Sequence, residues 1–135
     1  MKNSDFRIQI SGKVIRGQGY GRALGFPTAN LDRRDFSRRR LKVKLGVWAG
    51  SVEFRIQNAE CRMYKAGIVI GPMNKYHLPK IEAHLIGFKG NLYGKYLNIY
   101  LYRYIRPFKK FKNEEALKQQ IKLDIQRVRK LEKKK

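Results

Sequence analysis

The sequence predicts an all-β domain, an antiparallel barrel or sandwich, carrying one helix at its C-terminal end. Three observations predict it. Apolar and polar residues alternate at period two in several segments before residue 108. Turns join those segments and no helical pattern comes between them, so their apolar faces are best buried by antiparallel pairing. A helical period of apolar residues occurs only near the end of the chain.

Phe6, Ile8 and Ile10 alternate with polar neighbours and lead into Gly12. Val47 to Ile56 is strand-like, as is the apolar segment ending at Ile70. Ile81, Ala83 and Leu85 then alternate with Glu82, His84 and Ile86. Farther on, Leu97, Ile99, Leu101 and Ile105 fall on one side, with Asn98, Tyr100, Tyr102 and Tyr104 on the other. The tyrosine row suits a half-buried strand face under a helix at least as well as a base-stacking platform. The helix is expected over about 113–132. Asn113 can cap it, and Glu114 and Glu115 oppose the positive end of its dipole. Leu117, Ile121, Ile125 and Val128 form a stripe that packs on the barrel, and Lys133 to Lys135 fray in solvent.

A chain of 135 residues is expected to make one domain, with the barrel over about 6–108. Lys2, Asp5 and Arg7 leave no apolar core for a signal peptide, and the run Ala66 to Met73 is too short to cross a bilayer. No membrane association is therefore expected. Cys61 is the one cysteine, which suits a reducing cytoplasm and a small, partly buried strand position. The net charge of +22 favours polyanions at long range. Arg33, Arg34, Arg38, Arg39, Arg40, Lys42 and Lys44 face only Asp35 across 33–44, and 109–135 holds eleven bases against four acids. Nucleic acid is thus a possible partner, although a solvated basic face explains any single run.

Residues 16–30 carry the strongest chemical signal. Gly17, Gly19, Gly21 and Gly25 let the backbone bend and bring N–H groups close to a phosphate chain. Pro27 then stiffens the segment, and an extended chain beyond it sets Thr28 and Asn30 on one side. Two neutral oxygens beside such a loop suit Mg²⁺ carried by a nucleotide. The stretch lacks the Gly-Lys-Ser/Thr ending of a Walker loop. Strand alternation puts Glu82 and His84 on one polar face, and on pattern alone an ordinary solvent-facing strand explains Glu82 better than a catalytic role does. His84 suits a supporting or packing role, and His77 lies in a loop beside Leu78-Pro79.

Gly21-Arg22-x-Leu24-Gly25-Phe26-Pro27-Thr28-Ala29-Asn30-Leu31 resembles the signature of the riboflavin kinase, or flavokinase, family. Gly46-Val47-Trp48-Ala49, Glu82-Ala83-His84-Leu85, Leu92-Tyr93-Gly94, Ile105-Arg106-Pro107 and Phe111 match further blocks in order, over about residues 12–131. The resemblance implies a closed, about six-stranded Greek-key barrel that makes FMN from riboflavin and ATP with Mg²⁺. It implies Glu82 as catalytic base and as a flavin contact, and Thr28 and Asn30 as holders of Mg²⁺ and phosphate. By the same resemblance Gly17, Gly19, Gly21, Arg22, Gly25 and Pro27 bind the nucleotide, with the loop as a flap. Arg106 is the expected flavin or phosphate contact, in an apolar slot between barrel mouth and helix. Gly87, Asn91 and Phe108 stand where the family usually has acids, and Pro72-Met73-Asn74-Lys75 re-spaces a flavin-side loop.

A monomeric, cytoplasmic riboflavin kinase is the expectation that follows. The chain length leaves no room for a fused adenylyltransferase domain, so FAD synthesis is not expected. The alternatives are a nucleic-acid-binding barrel without catalysis and a flavin-binding regulator.

Overall fold

The computed structural model describes residues 8–16, 28–33, 43–56, 60–74 and 78–131. Six strands follow one another: β1 (Ile8–Ile15), β2 (Ala29–Leu31), β3 (Gly46–Ile56), β4 (Glu60–Met73), β5 (Pro79–Leu85) and β6 (Tyr96–Arg106). Helix α1 (Glu114–Lys130) comes last. The strands close into a barrel in the order β1-β2-β5-β4-β3-β6, and every pair is antiparallel. Consecutive strands β3, β4 and β5 lie side by side, and β6 returns beside β3, which is a Greek key. The expected closed, six-stranded Greek-key barrel with its C-terminal helix is what forms.

Period-two patterning fills the interior. Ile10, Val14, Leu31, Val52, Ile68, Ile70, Ile81, Ala83, Leu97, Ile99 and Leu101 are all buried in one cluster. Each large aliphatic side chain so buried contributes about 1.5–3 kcal/mol relative to exposure. β5 shows the alternation most cleanly: Pro79, Ile81, Ala83 and Leu85 are buried, while Lys80, Glu82 and His84 are partly exposed on the outer face. Gly50 marks a close approach, because a Cβ there would strike the Tyr100 carbonyl oxygen.

Two sequence expectations need correction. Cys61 is exposed rather than partly buried. It pairs with Arg55 near the tip of the long β3–β4 hairpin, where Glu60, Arg62 and Met63 are exposed too. The side assignment along β6 also fails beyond Leu101. Bulges fall between Val47 and Trp48 and between Ala49 and Gly50, and Tyr102 and Ile105 are the extra residues on β6. The side chains therefore change sides. Tyr104 pairs with Trp48, meets its ring edge-on at 5.3 Å and donates to the Leu45 carbonyl, while Ile105 leaves the row of Leu97, Ile99 and Leu101. No continuous tyrosine row survives.

Helix α1 straps the outside of β3 and β4. Asn113 caps it, its Oδ1 accepting from the Ala116 N–H at 2.9 Å. Val128 is buried above Gly67, and Val47 and Ala49 are buried without belonging to the interior cluster. They form a thin second apolar layer under the helix. Lys65 Nζ donates to the Arg129 carbonyl at 3.0 Å and ties down the last turn.

Candidate active site

The outer face of the barrel carries one informative row. Glu82 on β5 pairs with Val69 on β4, Val69 with Val47 on β3, and Val47 with Arg106 on β6. Cross-strand partners share a face, so all four side chains point away from the core. Three strand spacings, roughly 14 Å measured around the curved wall of the closed barrel, separate the ends of the row. Helix α1 covers its β3 and β6 end, where Val47 is buried and Arg106 meets Asp124. Glu82, at the other end, keeps 22% of its side chain exposed.

On its other edge Glu82 pairs directly with Asn30, which in turn pairs with Ile15 on β1. Directly opposed side chains on neighbouring antiparallel strands have Cβ atoms about 4.5–5.5 Å apart. Asn30 and Glu82 are distant in sequence, yet the barrel makes them neighbours. Thr28 stands two residues before Asn30, partly buried, and the register continued from Ala29–Ala83 sets it opposite His84. Thr28, Asn30, Glu82 and His84 thus occupy one patch. Gly17, Gly19, Gly21, Arg22, Gly25 and Pro27 lie outside the described residues, as do His77 and most of the basic run after Arg33.

The patch contains a residue that motif reading missed. Lys80 Nζ lies 2.9 Å from Glu82 Oε2, with the two side chains 28% and 22% exposed. Its signal was available: residues two apart on a strand share a face.

Arg106 is engaged within the protein. Its Nε donates to both Asp124 oxygens at 3.0 and 3.2 Å, and Nη2 donates to Oδ2 at 2.8 Å. Gln120 Nε2 also donates to Asp124 Oδ1, at 3.0 Å. Asp124 was legible as the one acid inside the apolar stripe of the helix, which needs a cationic partner once buried. Beside this pair, between the end of β6 and α1, opens a cleft of about 600 Å³. Ile105, Pro107 and Leu123 give it apolar walls, and Lys109, Arg127 and Lys130 give it positive charge.

Among the described residues no three His, Cys, Asp or Glu side chains converge as a metal cluster. The donor set that is present is different in kind. The Thr28 hydroxyl and Asn30 amide oxygen are hard, neutral donors beside a carboxylate, and this fits Mg²⁺, which takes few protein ligands when phosphates and waters supply the rest.

In class, the molecule is a six-stranded Greek-key barrel strapped by its C-terminal helix, with a polar patch on β2 and β5. The crystal structure of riboflavin kinase from Trypanosoma brucei shares this fold: TM-score 0.68 and 26% identity, with 96% of this chain and 80% of that one covered. The flavokinase family model, described as riboflavin kinase, matches residues 4–132. This chain belongs to the riboflavin kinase family. It is 31% identical to mouse riboflavin kinase over 88% of this chain and 77% of that protein. It is 33% identical to the bifunctional riboflavin kinase/FMN adenylyltransferase of Buchnera aphidicola subsp. Schizaphis graminum, over 91% of this chain. The chain spans 38% of the length of that bifunctional relative.

Proposed function

We propose that this protein transfers the γ-phosphoryl group of ATP to the ribityl 5′-hydroxyl of riboflavin, giving FMN and ADP. The observation that carries this reading is the direct pairing of Asn30 with Glu82 on the outer face of the barrel. It brings a carboxylate able to take a proton within a few ångströms of a neutral oxygen donor suited to a nucleotide's metal.

Glu82 accepts the proton of the 5′-hydroxyl as its oxygen attacks the γ-phosphorus. The bond from that phosphorus to the bridging oxygen of ADP breaks, and the proton later passes from Glu82 to solvent. Thr28 and Asn30 are the residues that would hold Mg²⁺, which when bound offsets charge on the phosphates. Gly17, Gly19, Gly21, Arg22, Gly25 and Pro27 belong to the nucleotide side by family resemblance. The flavin's fused rings take the apolar slot of Ile105, Pro107 and Leu123 between the end of β6 and α1. Arg106 shapes that slot while bound to Asp124.

The exposed, free Cys61 suits a reducing, cytoplasmic setting, and the protein acts as a monomer on both substrates. The nucleic-acid-binding alternative leaves the Asn30–Glu82 pair without a role. The test is chromatography of the purified chain incubated with riboflavin, ATP and Mg²⁺. ATP-dependent appearance of FMN is expected, and unchanged riboflavin at high protein concentration would contradict the proposal.

A further inference from the structure

The ion pair between Lys80 and Glu82 ties a flexible cation to the proposed base. Successive same-face residues of a strand lie about 6–7 Å apart, so the four-carbon stem of Lys80 must lie back along β5 to bring Nζ within 2.9 Å of Oε2. Left in solvent, that stem would keep its rotamer freedom. Instead it is held, 28% exposed, against a carboxylate that is 22% exposed. The pair is too exposed to contribute much to stability, so its place beside Glu82 asks for another reason. The terminal torsion of a glutamate is broad, and an untethered carboxylate would present either oxygen to a substrate. The contact with Lys80 engages Oε2 and leaves Oε1 for other work.

We propose that Lys80 is a positioning residue, holding Oε2 of Glu82 so that Oε1 receives the proton of the substrate hydroxyl. This rests on the riboflavin kinase reading with Glu82 as base. Lys80 acts only through Glu82, and so its removal slows the chemical step without weakening capture of either substrate.

The experiment is steady-state FMN formation by the full chain and four variants: Lys80→Met, Lys80→Arg, Glu82→Gln and the double variant Lys80→Met/Glu82→Gln. Lys80→Met is expected to lower kcat by about tenfold to a hundredfold, the effect of a small misplacement of a catalytic group. KM for ATP and for riboflavin stays unchanged, and Lys80→Arg recovers most of the loss. In the Glu82→Gln background Lys80→Met costs nothing further, because the two residues act as a unit. Lys80→Gln serves the same test where Lys80→Met fails to fold. Wild-type kcat in Lys80→Met, alongside a slow Glu82→Gln, overturns the role of Lys80 while leaving the kinase reading intact. An equal fold-loss with and without Glu82 overturns it as well. A wild-type chain that forms no FMN overturns the kinase reading and this proposal with it.

Discussion

At the scale of residues, the proposed chemistry rests on side chains that a barrel brings together from distant parts of the chain. Asn30 and Glu82 are opposed across β2 and β5, and Lys80 reaches the same carboxylate from along its own strand. If Asn30 and Thr28 hold a metal carried by the nucleotide, their effect should depend on that metal. Asn30→Ala is expected to weaken binding of Mg²⁺-ATP on the order of tenfold. ATP without Mg²⁺ should bind the variant and the wild type equally, as read by calorimetry. Equal affinities of variant and wild type for Mg²⁺-ATP would remove Asn30 from the metal site.

Among the elements, helix α1 does the most to shape the site's far edge. Its cap and its dipole-matched ends are local features of sequence: Asn113 accepts from Ala116, and Glu114 and Glu115 open the helix while Arg127, Arg129 and Lys130 close it. What fixes it to the barrel is less local. Arg106 and Asp124 make three charge-assisted contacts at 15% and 10% side-chain exposure, and Val128 covers Gly67. Asp124→Ala would leave the guanidinium buried beside the helix without its carboxylate. Removing one partner of such a buried pair costs about 3–5 kcal/mol, so thermal or denaturant unfolding should show a large loss of stability. A loss below about 1 kcal/mol would place the pair with ordinary surface salt bridges.

Over the whole molecule, the period-two strands, the C-terminal helix and its cap were legible in the sequence because each depends on neighbours within a few residues. The bulges of β6 were not, since they arise from register against β3 and shift Tyr104 inward at a distance no local pattern reports. Cys61 was misjudged for a related reason: the β3–β4 ladder runs beyond the residues that β5 and β6 pair with, and that length leaves Cys61 exposed. Glu82 was legible as a polar residue on an alternating strand. Its partner Asn30 became visible only with the closed order β1-β2-β5-β4-β3-β6, whereas Lys80, two residues away on the same strand, was within reach of the alternation. The net charge of +22 suits anionic substrates at long range but does not select among them. The proposed function turns on Glu82 taking the proton in phosphoryl transfer to riboflavin. Its most direct measurement is FMN formation by Glu82→Gln against the wild type, with ATP binding measured alongside. Unchanged ATP affinity and a kcat lower by about two to four orders of magnitude are expected; a kcat within a few-fold of wild type would remove Glu82 from the proton transfer.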